Sequence, residues 1–203
     1  MKYLFFLLLL ISNIAQSLII LDPIGDNTSS RIIDHDFEAG LTLQCAQAIT
    51  QSMTSPIVLT RTAGKSAMPF PERQSFANRS NAQFYFSISF YVDTQPTIAL
   101  YYHCAYPATD FWQFPYHTLA TVPFDQIHRR TIHQSAKMAE RAADYLHKNS
   151  TVLIQDVIGI PIAELQGLTC PALKCEIGLV HASQWHDYVP LLSSLITHLL
   201  ATP

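Results

Sequence analysis

The sequence predicts a single-domain α/β protein, a three-layer sandwich whose mostly parallel, twisted sheet of about six strands is flanked by helices. Short apolar, β-branched or aromatic runs recur along the chain, and between most of them apolar residues recur at helical spacing. The length of 203 residues fits one domain whose core is large enough to be stable without staples. With 49% hydrophobic and 13% charged residues, the composition is that of a compact chain and not of a disordered one.

Residues 18–21 form an apolar run ending in Asp22-Pro23, the pattern of a buried strand opening into a loop. That loop is long and polar as far as a helix at 37–52, traced by Leu41, Cys45, Ala48 and Ile49. Residues 56–60 make a second short strand, and Pro71 introduces a helix at 72–81. A third strand spans 84–91. A fourth, at 97–103, follows Pro96 so closely that it is expected beside the third, as in a hairpin. Residues 104–127 have no period and hold Pro107, Pro115 and Pro123 among aromatics, which predicts a long surface loop. Trp112 and its neighbours there could pack the loop or form a lip that stacks on sugar or peptide. A helix at 132–149, strands at 152–157 and 172–177, and an amphipathic helix at 188–200 complete the chain.

The N-terminus differs in kind. Lys2 precedes an apolar run at 3–11 and then Ala15-Gln16-Ser17, a small-x-small pattern, so residues 1–17 are read as a signal peptide and 18–203 as the mature domain. The apolar run has nine residues, whereas a spanning helix needs about 20. Export to the periplasm or the exterior is therefore expected. Cleavage after Ser17 leaves only four residues before Asp22, which keeps an uncleaved membrane anchor as the alternative.

Without Lys2, the 12 basic residues fall to 11 against 15 acidic ones. The basic residues are scattered, with no stripe, no aromatic interleaving and no phosphate-binding glycine loop, so neither nucleic acid nor nucleotide is an expected partner. Four cysteines, Cys45, Cys104, Cys170 and Cys175, allow one or two bridges in an oxidising compartment; buried free thiols are the equal alternative.

From Asp22-Pro23 onward the chain resembles the zinc-dependent N-acetylmuramoyl-L-alanine amidases of bacterial cell-wall turnover, whose first strand ends in D-P-G-H-G-G. Glu38, with Leu43, Ala46 and Ile49, is similar to the family's metal-binding Glu at the start of its first helix. Leu59-Thr60-Arg61 resembles its L-T-R strand end, and Glu72-Arg73 with Ala77-Asn78 its E-R-x-x-x-A-N helix. Phe86-Ser87-Ile88-Ser89 stands where the family has I-S-I-H, the start of its SIHAN motif. Residues 99–102 resemble G-A-E-V-Y-Y, and 171–178 resemble P-A-V-L-V-E-x-G. These landmarks occur in family order over almost all of the mature chain.

The resemblance implies a zinc held by the His of the first loop, the Glu of the first helix and the His of the third strand, with the late Glu as general base. In this chain the first position is Gly25, or Asp26 if the loop shifts by one, and the second is Ser89. Glycine has no ligand atom and a neutral hydroxyl is a poor zinc donor beside imidazole. A catalytic zinc activates water and polarises a carbonyl when three protein ligands leave a fourth position open, and a lone carboxylate cannot replace it. Glu38 is thus a vestigial metal ligand and Glu176 a vestigial general base. Asp26 and His35 are the candidate replacement ligands, though Asp34-His35-Asp36 also suits an exposed polar turn with helix N-cap character. Arg73 and Asn78 are candidates for substrate binding, or for satisfying loop backbone around the site. Glu176 lies between Cys175 and Ile177 in an apolar strand, a costly place for a charge without role or partner.

The expectation is a catalytically inactive, exported amidase-fold protein, without cofactor, that binds peptidoglycan fragments or a cell-wall enzyme. One alternative is an active amidase whose zinc is held by Asp26 or His35 with Glu38. The other is a secreted interaction protein that reuses the scaffold, its groove filled by the 104–127 loop.

Overall fold

The computed structural model of the chain describes residues 18–25, 31–63, 68–105 and 129–201. In chain order the elements are β1 (Ile19–Pro23), β2 (Ile32–Ile33), β3 (Asp36–Phe37), α1 (Glu38–Ser52), β4 (Ile57–Leu59), α2 (Phe70–Arg79), β5 (Phe84–Val92), β6 (Thr97–His103), α3 (Ile132–Asn149), β7 (Leu153–Ile160), β8 (Ala172–Leu179) and α4 (Trp185–Ala201). Six of the strands make one sheet in the order β4-β1-β5-β8-β6-β7. Its ladders are parallel except for the antiparallel pair of β6 and β8. The expected α/β sandwich is therefore the observed fold.

Side chains alternate across a strand, so each strand feeds two layers. Phe86, Ile88 and Phe90 of β5, with Leu173 and Cys175 of β8, pack against the apolar stripes of α1, α3 and α4. On the opposite face Ile20, Tyr85 and Ala172 meet Ala77 of α2 and Leu165 and Leu168 of the segment before β8. β1 is buried on both faces and reads as an apolar run as far as Leu21, as central parallel strands do. No helix among the described residues is long and apolar enough to cross a membrane.

Two local expectations are corrected. β6 is not the neighbour of β5, because β8 lies between them. Residues 93–96 arc over the end of β8 at Gly178, where the Asp93 N–H donates to the Leu179 carbonyl at 3.0 Å. A Cβ on Gly178 would stand 2.2 Å from Thr97 Oγ1 and 2.8 Å from Asp93 Cβ, so only glycine lets the turn pass. The other correction concerns the loop after β1. Its later part holds a small hairpin of β2 and β3, turning at Asp34 and His35, with Asp34 in the left-handed region at φ 57°. Phe37, which supplies no side-chain cap, is the N-cap of α1, so the acidic turn does not cap that helix.

All four cysteines are free and buried, which makes the free-thiol alternative the observed one. Burial pushes the thiols of Cys45 and Cys170 up to about 12 and raises that of Cys175 as well. Most of the expected 104–127 loop, with Trp112, lies outside the described residues.

Candidate functional site

The polar residues of the sheet gather on the face opposite the large core, toward the carboxyl ends of β1, β5 and β8. Strand register sets them in rows. Asp22, Ser87, Lys174 and Tyr101 are successive partners across β1, β5, β8 and β6, and one step on Ser89 is opposite Glu176. A period of two in Lys174, Cys175, Glu176 puts both charges on this face and the cysteine in the core.

Asp22 is the penultimate residue of β1 and is fully buried. Its carboxylate accepts from the Thr60 hydroxyl, from Arg73 Nη1 at 3.2 Å on both oxygens, and from the Tyr85 hydroxyl at 2.6 Å. Arg73 also donates through Nε to the Met68 carbonyl at 2.6 Å and stacks its guanidinium over Phe70. A buried charge pair is sustained only when its remaining hydrogen-bonding capacity is met, and here every oxygen of Asp22 is occupied. Asn78, on the same helix, donates to the Gly167 carbonyl at 2.8 Å and accepts from the Thr169 N–H at 2.9 Å, which ties α2 to the segment before β8. Loop backbone thus engages both Arg73 and Asn78.

Glu38 opens α1, where its charge favours the helix dipole. β1 pairs with β5 only as far as Pro23 opposite Ile88, and beyond that ladder the Phe90 N–H donates to Glu38 Oε1 at 3.1 Å. Burial pushes the Glu38 carboxyl above its ordinary 4.5, and the Phe90 N–H and the charges of Arg31 and Lys174 offset this only in part. Glu176 accepts from the Ser89 hydroxyl at 3.3 Å and pairs with Lys174 Nζ at 3.1 Å. Lys174 also donates to Glu164 at 2.7 Å. Burial opposes its charge, but Glu164 and then Glu176 outweigh that and hold the ammonium above its ordinary value. The charge of Glu176 therefore has a partner.

Among the described residues, the donors at this end of the sheet do not fit a zinc centre. Gly25 has φ +115°, and a Cβ there would stand 2.7 Å from the Ala39 Cα, so its backbone leaves no room for a side chain of any kind. Ser89 donates to Glu176, and one oxygen of Glu38 accepts from the Phe90 N–H. His35 is exposed at the hairpin turn, where Asp34 accepts from the Ala182 N–H at 2.6 Å. Asp26 lies outside the described residues. Among the described residues no group of three His, Cys, Asp or Glu side chains could hold a metal ion. The site brings Glu38, Ser89 and Glu176 to one end of the sheet and sets beside them a cation, Lys174, that the sequence reading left among the scattered basic residues. Chemically, the cluster can offer carbonyl or amide groups a donor and acceptors, while the Glu176 carboxylate is paired with an ammonium.

No sequence-family model and no curated protein matches the chain. Solved structures do. An N-acetylmuramoyl-L-alanine amidase from Mycobacterium smegmatis is similar with a TM-score of 0.68 at 16% identity, over 95% of this chain and 100% of that one. An N-acetylmuramoyl-L-alanine amidase from Clostridium difficile 630 gives 0.65 at 16% identity, over 91% and 95%. The CwlD amidase from Clostridioides difficile, in complex with the GerS lipoprotein, gives 0.60 at 14% identity, over 92% and 100%. At such identities the likeness shows the fold, which is that of these amidases.

Proposed function

We propose that the chain is an exported, non-catalytic amidase-fold protein of peptidoglycan metabolism that binds wall fragments or a cell-wall enzyme. The observation that carries this reading is the state of the two imidazole positions: Gly25 packs its Cα against Ala39, and Ser89 donates to the carboxylate that should serve as base. Zinc affinity depends on a preorganised set of ligands, and two of three are missing. Amide hydrolysis at neutral pH then lacks both its activated water and its oxyanion stabiliser. What remains is a cluster of polar side chains able to hydrogen-bond peptide without cleaving it. A lipoprotein complex formed by the CwlD amidase supports the protein-partner form of the proposal. Residues 1–17 act as the export signal in this reading, or as an uncleaved anchor.

The test is the zinc content of purified mature protein by elemental analysis, alongside release of stem peptide from purified peptidoglycan. Absence of both, with retention on intact wall in a pull-down, is expected. Near-stoichiometric zinc with peptide release abolished by Glu176→Ala would sink the proposal in favour of an active amidase with replacement ligands.

A further inference from the structure

We propose that Lys174 is an internal cation that takes over the charge-compensating work a bound metal would do at this end of the sheet. The amidase pattern P-A-V-L-V-E-x-G has an apolar residue at the position of Lys174, and this chain has an ammonium there. Its Nζ lies 2.7 Å from Glu164 and 3.1 Å from Glu176, bridging a carboxylate of the segment between β7 and β8 to the one on β8. All three side chains are mostly buried, with relative exposures of 14%, 12% and 19%. Lys174 also acts through space on Glu38, which carries its own desolvation penalty. Carboxylates gathered in a poorly solvated site repel one another and need a positive charge, which a metal ion or a side chain can equally supply.

The geometry favours the side chain for a further reason. Lys174 and Glu176 are two residues apart on one strand and so necessarily face the same way, while Ser87 and Ser89 of β5 stand opposite them in register. An ammonium has three donors, and Glu164 and Glu176 receive two of them in fixed directions. The positive charge is therefore built into the strand and is present as soon as the sheet forms. This makes the fold independent of metal supply, and it makes the site a poor host for a divalent ion, which would meet a fixed like charge.

The proposal rests on the metal-free reading of the site and not on the wall-binding one. Thermal unfolding of the full mature protein, in chelator and in excess zinc ion, tests it. The wild type is expected to melt at the same temperature in both. Lys174→Leu is expected to melt about 5 °C lower in chelator, and to regain part of that loss with zinc, because Glu164 and Glu176 then lack a cation. Adding Glu176→Gln to that variant should restore stability without metal and abolish the zinc response. Should Lys174→Leu alone fail to fold, a folded double variant supports the proposal and an unfolded one overturns it. A Lys174→Leu protein as stable as the wild type, or one that is destabilised without answering to zinc, overturns it. A wild type stabilised by zinc overturns both this proposal and the metal-free reading, whereas a zinc-indifferent Lys174→Leu overturns this proposal alone.

Discussion

Asp22 and Glu176 lie on the same face of the sheet, on strands that flank β5, and each meets a cation, yet their surroundings differ. Asp22 is sealed, its carboxylate saturated by a hydroxyl from β4's end, a guanidinium from α2 and a phenol from β5. Glu176 keeps 19% exposure and holds an ammonium from its own strand and one long hydrogen bond from Ser89. The first cluster joins elements far apart in sequence, with Arg73 and Tyr85 lying 51 and 63 residues from Asp22. It is a fastening for the fold. The second draws its charges from one stretch of chain, Glu164 to Glu176, with Ser89 reaching it from 87 residues away, and it stays partly open to water.

The largest effect is expected where the sealed pair is broken. Arg73→Met leaves Asp22 buried and uncompensated and should cost about 3–5 kcal/mol, read from the urea midpoint at constant slope. A cost under 1 kcal/mol there, within the range of exposed pairs, would erase the distinction between the clusters. Next comes Gly25→Ala, expected to cost about 1–3 kcal/mol because its positive φ and the Ala39 backbone leave no space for a Cβ. By the same geometry Gly25→His, alone or with Ser89→His, is expected to gain no zinc in elemental analysis.

Smaller effects are expected at the open cluster. Removing Lys174 should cost about 1–2 kcal/mol, less than removing Arg73 because water still reaches Glu164 and Glu176. Glu38→Gln should be neutral or stabilise by about 1 kcal/mol or less, since Gln keeps the acceptor for the Phe90 N–H and removes a desolvated charge. The sign with pH follows from the raised Glu38 carboxyl. Ionised Glu38 weakens the fold at neutral pH, so the variant's advantage is present there and fades as pH falls through the raised value to below 4.5. Chemical denaturation of both proteins at pH 7 and pH 4 distinguishes this from a pH-independent packing change.

Much of this was legible in the chain. The strand at 84–91 and the helix at 132–149 came from periodicity alone, and both stand with bounds close to those expected. Glu38 and Glu176 were singled out by the order of landmarks around them. Lys174 was missed, although its signal was present: alternation along 172–177 already put it on the side of Glu176. The partners of Asp22 were out of reach, because nothing in a linear pattern says that Thr60, Arg73 and Tyr85 converge on one carboxylate. The expected β5–β6 hairpin failed for a related reason. A short turn between two strands normally makes them neighbours, and only Gly178 of β8 reveals that this turn steps over another strand.

That step at Gly178 governs the order in which the sheet can be completed. β5 and β6 emerge early during synthesis, tethered by residues 93–96 at a spacing that suits a strand between them. The strand that fills the gap begins only at Ala172, so two central edges await a segment made late, and slow, non-local closure follows. Chains truncated before Ala172 are expected to bind a hydrophobic dye and to lack dispersed amide resonances. A native-like spectrum from such a fragment would show that β5 and β6 can pair without β8. Until β8 arrives, this protein has exposed strand edges for other chains to add to, so its period of greatest aggregation risk precedes the synthesis of β8.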